Sequence, residues 1–139
     1  MSLLLEYTVT ARRVDSSGSV AGAKSAEVVL DTSLAGRLDA LNPAELLLAS
    51  LAACMIKGAE RVAPMLNFEL RGMSVRLHAV RADSPPSIKT IDYELTIESD
   101  ESERRLELLH TNIRKFGTIS NTLAAALQLT GSIRRADNP

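Results

Sequence analysis

Residues 46–56 constrain the fold of this chain more than any other segment. They are apolar except for Ser50, and the chain's single cysteine, Cys54, lies among them. The run is well short of the roughly 18 residues that a membrane-spanning helix needs. A helix that is apolar on every side has to be surrounded by protein. We therefore expect a buried central helix that carries Cys54, and we expect no association with a membrane.

The residues that flank this segment set the bounds of the predicted helix. Asn42 is a favourable N-cap, Pro43 is a favourable first helical residue, and Glu45 places a carboxylate near the positive end of the helix dipole. Pro64 lacks the amide hydrogen that a continuing helix would donate. The sequence therefore predicts a helix that begins at Pro43 and ends at or before Ala63.

The alternation of apolar and polar residues predicts strands over residues 3–12, 73–79 and 91–97. A β-branched stretch predicts a strand over residues 26–30, and a last strand is predicted over residues 132–135. Turn-forming residues at 15–18 separate the first two strands, residues 32–41 look like a loop, and residues 83–86 look like a loop too long for a tight hairpin.

A helical period replaces the alternation from Asp100 onwards. One apolar stripe is formed by Leu106, Leu109, Ile113 and Phe116, and a second short helix is predicted over residues 120–128. No internal repeat, low-complexity tract or linker interrupts the chain. The pattern predicts a single α+β domain over residues 1–139.

The composition of the chain limits the classes of molecule that we expect it to bind. The formal net charge is −1 and only 3% of the residues are aromatic, so we expect no nucleic-acid partner. A single cysteine excludes an internal disulfide framework, and the N-terminal residues do not have the pattern of a signal peptide. We expect a reducing, cytoplasmic location, with small molecules or proteins as partners.

Two interpretations of Cys54 follow from its neighbours on the predicted helix. Leu51 provides an apolar wall on one side, and the cations Lys57 and Arg61 follow on the other. If these cations turn towards the sulfur, they would favour the reactive thiolate. If burial dominates, Cys54 is an inert core residue, as free cysteines often are.

The remaining residue patterns are not typical of metal or cofactor binding. His78 and His110 are isolated from each other, and with one cysteine they form no spaced set of metal ligands. The glycine-rich loops that bind phosphate groups are absent from the sequence. We therefore expect neither a metal site nor a cofactor.

Residues 42–54 read N-P-A-E-L-L-L-A-S-L-A-A-C. This segment resembles the central helix of the OsmC/Ohr (osmotically inducible protein C / organic hydroperoxide resistance) family of thiol peroxidases, which reads N-P-x-E-L-L-L-A-x-L-A-x-C. Pro86 before the strand at 91–97, and the sequence S-N-T-L at 120–123, extend the resemblance over nearly the whole chain. It implies an intertwined homodimer in which curved antiparallel sheets wrap the central helices, with the active site at the subunit interface.

The resemblance also implies catalytic roles. Cys54 matches the cysteine that attacks a peroxide, but Gly117 occupies the position of the second, resolving cysteine, so no intramolecular disulfide can form. Ala44 stands where the organic-hydroperoxide branch has a catalytic glutamate, and Glu45 matches the adjacent, more general glutamate. The candidates for the family's arginine are Arg12 and Arg13.

These residues lead to two hypotheses of different classes, and whether the chain is an enzyme stays open between them. In the first, Cys54 reduces an organic hydroperoxide as part of an oxidative stress response, and an external thiol regenerates it. In the second, the family's catalysis has been lost and the dimer binds a small apolar ligand at the same interface. A purely structural dimer with a packed cysteine is a variant of the second hypothesis.

Overall fold

The computed structural model describes residues 4–137, and within them it contains six strands and three helices. In chain order the elements are β1 (Thr10–Asp15), β2 (Gly18–Ala23), β3 (Ala26–Leu30), α1 (Pro43–Met65), β4 (Gly72–Asp83), β5 (Pro86–Glu98), α2 (Glu103–Phe116), α3 (Thr118–Ala124) and β6 (Gln128–Arg135). The chain divides between Leu47 and Leu48 into a first and a second compact unit. Helix α1 begins in the first unit and continues in the second. The mixture of helices and sheets confirms the predicted α+β class.

The first unit contains a three-stranded antiparallel sheet in the order β1–β2–β3. Strand β3 has the predicted bounds, but the strand predicted over residues 3–12 is wrong, because β1 begins only at Thr10. Thr10 lies opposite Gly22, near the end of β2. The alternating residues 4–9 have no partner strand in the described part of the chain, and residue 3 lies outside it.

Residues 32–41 form a loop, as predicted. Asp31, which is buried, organises this loop through its carboxylate. The carboxylate accepts hydrogen bonds from the Ser33 hydroxyl (2.7 Å), the Arg37 N–H (2.9 Å) and the Ser33 N–H (3.0 Å). These hydrogen bonds lower the pKa of Asp31. The loop nevertheless leaves Leu34 and Leu38 fully exposed, so polar contacts rather than apolar packing hold it.

Helix α1 begins where the sequence predicts. The Asn42 side chain accepts a hydrogen bond from the Glu45 N–H at 2.9 Å, and the Glu45 carboxylate accepts one from the Asn42 N–H at 3.0 Å. This reciprocal pair is a capping box, which satisfies two amides that the first helical turn leaves unpaired. Pro43 follows as the first helical residue, where the missing N–H has no effect.

The predicted end of α1 at or before Ala63 is wrong, because the helix continues through Pro64 to Met65. Pro64 removes only its own donor, and the preceding carbonyl groups still accept hydrogen bonds from residues further along. Asn67 has a φ of 49°, and the Phe68 N–H donates to the Ala63 carbonyl at 2.8 Å. The Asn67 N–H donates to the Pro64 carbonyl at 3.2 Å, which completes a Schellman cap. The helix therefore ends at a left-handed asparagine rather than at the proline.

Strands β4 and β5 form a long antiparallel hairpin in the second unit. The loop predicted over residues 83–86 is wrong, because Asp83 pairs with Pro86 and leaves a two-residue turn. The register shifts between Val80 and Arg81, and a bulge of this kind interrupts the alternation of the sequence. The strands therefore extend beyond the segments that the alternation indicated.

Strand β6 runs parallel to β5, with Ile91 opposite Leu129 and Leu95 opposite Ile133. Helices α2 and α3 connect these two strands, since a parallel pair needs a long crossover. The second sheet is therefore mixed, in the order β4–β5–β6, whereas the resemblance implied antiparallel sheets. The strand predicted over residues 132–135 lies within β6 but begins too late.

Helix α2 begins at Glu103, after the N-cap residue Ser102. The predicted apolar stripe is fully buried at three of its four positions, Leu106, Leu109 and Ile113. At the fourth position, Phe116 is 44% exposed. Phe116 is the last residue of α2, and its ring lies 5.3 Å from the Lys115 ammonium group.

Helix α3 begins and ends earlier than the helix predicted over residues 120–128. Gly117 is extended, with φ −81° and ψ 112°, and it is the only residue between α2 and α3. The Ala126 and Leu127 N–H groups both donate to the Leu123 carbonyl, and this turn closes α3 before β6 begins.

The core of the second unit lies between its sheet and helices α1 and α2. The largest fully buried side chains are Leu51, Met55 and Val62 of α1, Ile91, Leu95 and Ile97 of β5, and Leu106, Leu109 and Ile113 of α2. The opposite side of α1 is exposed, and Ile56 on that side is 40% exposed. In the single chain, α1 is therefore buried along one stripe rather than on all sides. None of the helices in residues 4–137 has the length and apolar character to span a membrane.

Candidate functional site

Cys54 lies at the border between the buried and the exposed sides of α1. Leu51 and Met55, its neighbours on the helix, are fully buried, whereas Ala53 is exposed. Cys54 itself is half-buried, and its thiol is free. In the single chain, Cys54 is therefore not enclosed by the core as Leu51 and Met55 are.

Lys57 and Arg61 follow Cys54 at one and two helical turns, and both are exposed. Within residues 4–137, neither side chain forms an ion pair or a hydrogen bond. Most other arginines of the second unit are paired with carboxylates: Arg71, Arg81, Arg105, Arg134 and Arg135. Lys57 and Arg61 thus leave two positive charges available on the side of α1 that carries Cys54.

Helix α2 reaches the backbone of α1 one turn beyond Cys54. A Cβ atom on Gly58 would lie 3.6 Å from Ile113 Cγ2 and 3.9 Å from both the Ile113 Cα and its carbonyl oxygen. Gly117 follows Ile113 by one helical turn at the end of α2. The missing side chain at Gly58 therefore lets the two helices touch close to the candidate thiol.

The backbone at Gly117 is closely packed against neighbouring atoms. A Cβ atom at this residue would overlap the Ser120 hydroxyl and would lie 3.0 Å from the Ile113 carbonyl oxygen. Ser120 is buried, and its hydroxyl donates to the Gly117 carbonyl at 3.1 Å. The junction between α2 and α3 is therefore packed around a glycine.

The other predicted site residues lie in the first unit. Glu45 is part of the capping box with Asn42, so its carboxylate has a partner at the start of α1. Arg12 and Arg13 are exposed residues of β1, opposite Val20 and Ser19 respectively. Catalytic roles for Glu45, Arg12 and Arg13 stay predictions.

A polar network that the sequence analysis missed lies inside the second unit. Tyr93, which is 2% exposed, has its hydroxyl 2.7 Å from His110 Nε2, and the Arg114 guanidinium donates to the same hydroxyl at 3.0 Å. Burial lowers the pKa of His110. The spacing of His110 and Arg114 by one helical turn was a local signal, but Tyr93 comes from another element.

The other histidine, His78, is an exposed residue of β4 opposite Asp92. Among residues 4–137 there is no group of three or more side chains that could hold a metal ion. A hollow of about 180 Å³ lies beside the exposed side of α1, and Ile56 and Glu60 line it together with residues 70–73.

The comparisons with known proteins agree with this arrangement of elements. A family model described as OsmC-like protein matches residues 35–131. No curated protein matches the sequence significantly. Among solved structures, the OsmC-like protein from Mycoplasma pneumoniae is similar with a TM-score of 0.89 at 20% identity, over 97% of this chain and 100% of that chain.

Two further similar structures have names that mention hydroperoxides. The organic hydroperoxide resistance protein OsmC from Legionella pneumophila has a TM-score of 0.75 at 18% identity, over 95% of this chain and 98% of that chain. The organic hydroperoxide resistance protein OhrB of Bacillus subtilis has a TM-score of 0.68 at 19% identity, over 95% of this chain and 100% of that chain. At these identities the structures show a shared fold, and the family model covers more than half of the chain. The chain belongs to the family of OsmC-like proteins.

Proposed function

We propose that this chain is a thiol-dependent peroxidase in which Cys54 reduces organic hydroperoxides. The observation that carries the proposal is the half-buried, free thiol of Cys54, which ends the family motif on α1. The unpaired cations Lys57 and Arg61 support it, because positive charge on the same side of the helix favours a thiolate. An aliphatic environment favours an organic hydroperoxide over hydrogen peroxide.

The reaction has two stages. The Cys54 thiolate attacks the terminal oxygen of the hydroperoxide, the O–O bond breaks, and the organic group leaves as an alcohol after taking up a proton. Cys54 is thereby oxidised to sulfenic acid. One molecule of external thiol then forms a mixed disulfide with release of water, and a second molecule releases the oxidised thiol and restores Cys54.

The external thiol is needed because residue 117 is glycine, which cannot resolve the sulfenic acid. A reducing compartment such as the cytoplasm supplies thiols of this kind, and the activity would serve an oxidative stress response. We assign Glu45, Arg12 and Arg13 as further candidates for the site. The capping box supports a role for Glu45 in placing the start of α1, in addition to any role in proton transfer.

We further propose that the active form is a homodimer with the thiol at the subunit interface. The exposed side of α1, with Ile56 40% exposed, supports this, because an apolar helix is covered on all sides in a stable protein. Sedimentation at micromolar concentration should show no folded monomer. A stable folded monomer would contradict the interface site.

The test of the activity uses one equivalent of an organic hydroperoxide, such as cumene hydroperoxide, followed by a sulfenic-acid reagent. We expect one label on the wild-type chain and none on the Cys54→Ser variant. Excess hydroperoxide without thiol should over-oxidise Cys54, and an added thiol should prevent this. The proposal fails if Cys54 reacts with neither the hydroperoxide nor an alkylating agent until the protein is unfolded.

The second candidate is a dimer that has lost catalysis and binds a small apolar ligand at the same interface. The tight packing around Gly117 favours it, because this junction is built without the resolving cysteine. A fatty acid is a suitable probe, and calorimetry should then detect binding by both the wild type and Cys54→Ser. Peroxide turnover by the wild type would reject this candidate, and so would the absence of binding.

A further inference from the structure

The partly buried network of Tyr93, His110 and Arg114 has no role in the proposed chemistry. Tyr93 belongs to β5, and His110 and Arg114 belong to α2, so the network joins the helix to the sheet. The His110 ring also packs edge-on against the Tyr93 ring, with 5.6 Å between the centroids. Gly131 of β6 lies opposite Tyr93, and any Cβ atom there would overlap the tyrosine ring.

The chemistry of the three groups limits where the protons of this network can lie. A guanidinium group can only donate, so Arg114 donates to the Tyr93 oxygen at 3.0 Å. The Tyr93 oxygen and His110 Nε2 lie 2.7 Å apart, and the direction of this hydrogen bond depends on the tautomer of the histidine. In the neutral tautomer with its proton on Nδ1, Nε2 accepts the tyrosine O–H, and all three groups then have a partner.

Protonation of His110 would break this arrangement. Both ring nitrogens would become donors, so the tyrosine O–H would lose its acceptor inside the protein. A second positive charge would also appear beside Arg114, whose guanidinium lies 5.7 Å from the centre of the Tyr93 ring. Both effects weaken the connection between α2 and β5.

Few other charges face His110. Glu107 of α2 lies 3.8 Å from His110 Nδ1, but its side chain is 68% exposed, so solvent screens its attraction for the protonated ring. From β5 the facing group is Tyr93, and the β6 residue opposite Tyr93 is the uncharged Gly131. Burial is the main cause that lowers the pKa of His110, Arg114 acts in the same direction, and Glu107 opposes them.

We propose that Tyr93, His110 and Arg114 form a pH-sensitive latch that holds α2 against the second sheet while His110 is neutral and loosens α2 when His110 is protonated. The latch does not depend on the proposed peroxidase activity. Since α2 touches α1 at Gly58, one turn from Cys54, its loosening would reach the helix that carries the thiol.

The first test is hydrogen exchange of the α2 amides at about pH 7.5 and about pH 5, a range in which histidine is the side chain that titrates. Rates are corrected for the intrinsic effect of pH. The wild type should lose protection in α2 several-fold more than in α1 at the lower pH. His110→Gln, which stays neutral, should show no such difference between the two pH values.

The matched control is His78→Gln, because His78 is the other of the two histidines and is exposed on β4. This variant should keep the wild-type response. Equal protection of α2 at both pH values in the wild type, or an unchanged response in His110→Gln, would overturn the proposal.

A measurement on the wild type alone covers the case in which His110→Gln does not fold. The ring protons of His110 and the amides of α2 are followed by NMR through the same pH range. Both sets should shift with one common midpoint. If His110 titrates while the α2 amides stay unchanged, the latch does not exist.

Discussion

The two compact units differ in what holds them together. The second unit has a core in which large side chains of α1, β5 and α2 are fully buried. In the first unit, Ala21 is the one buried apolar residue among those described, while Leu34, Leu38 and Tyr7 are almost completely exposed. The first unit is ordered instead by hydrogen bonds, as around Asp31 and in the capping box of α1. The apolar side chains of the first unit are therefore left exposed in the single chain, whereas the second unit buries its own.

The largest expected effect tests the core of the second unit. Leu95→Ala should lower the free energy of unfolding by about 2–5 kcal/mol, because it leaves a cavity at a fully buried position of β5. Urea denaturation measures the change. The matched variant in the first unit is Leu34→Ala, which should cost less than about 0.5 kcal/mol in a single chain. A clear concentration-dependent loss in Leu34→Ala would instead show that a second copy covers this leucine.

The second largest expected loss of stability is at Gly117, between α2 and α3. Gly117→Ala should destabilise the protein by about 1–3 kcal/mol, because the added Cβ meets the Ser120 hydroxyl in a packed junction. The double variant with Ser120→Ala should recover part of this loss, and Ser120→Ala alone supplies the control. Strictly additive losses in the three variants would show that the two residues do not compete for space.

Loss of the capping box in the first unit should lower the free energy of unfolding by about 1 kcal/mol. Asn42→Ala removes the acceptor for the Glu45 N–H, and substitutions of this kind at an N-cap cost about that much. The denaturation midpoint measures the loss, with Glu45→Gln as a control that keeps an acceptor for the Asn42 N–H. A change in the alkylation rate of Cys54 at unchanged stability would mean that Asn42 belongs to the site.

The smallest expected effect is on the pH dependence of the free energy of unfolding. The pH range in which stability is lost should differ between the two units. The folded state lowers the pKa of His110 from 6.5, so the unfolded chain binds the proton first as the pH falls. Stability should therefore decrease as the pH drops below about 6.5. In the first unit, the pKa of Asp31 is lowered from its ordinary value of 3.8. The stability that the ionised Asp31 contributes should therefore be lost only below about pH 3.8. Denaturation at several pH values should show the loss of stability below about pH 6.5 in the wild type and not in His110→Gln.

The sequence predicted those features that depend on neighbouring residues. The start of α1 follows from Asn42 and Pro43, and the buried stripe of α2 follows from the spacing of its leucines. The end of α1 was missed, because the cap at Asn67 outweighs the proline signal at Pro64. The parallel pairing of β6 with β5 was missed as well, since pairing between distant strands has no local signal.

For the candidate site as well, the sequence predicted only what neighbouring residues determine. The motif that ends at Cys54 identified the family from one continuous segment, and the family model confirms it. The half-buried position of Cys54 could not be predicted, because the all-round apolar pattern of its helix indicated full burial. The network of Tyr93 with His110 and Arg114 depends on contacts between a strand and a helix, so its residues looked isolated in the sequence.

The packing around Gly117 also has a consequence for any side chain placed at this position. A cysteine that appeared at residue 117 would arrive in a junction whose space the Ser120 hydroxyl already fills. A larger side chain at residue 117 would have to turn the Ser120 hydroxyl away from the Gly117 carbonyl, to which it donates at 3.1 Å. The side chain at residue 117 and the rotamer of Ser120 are therefore coupled, so a substitution at one of the two positions should change the conformation at the other.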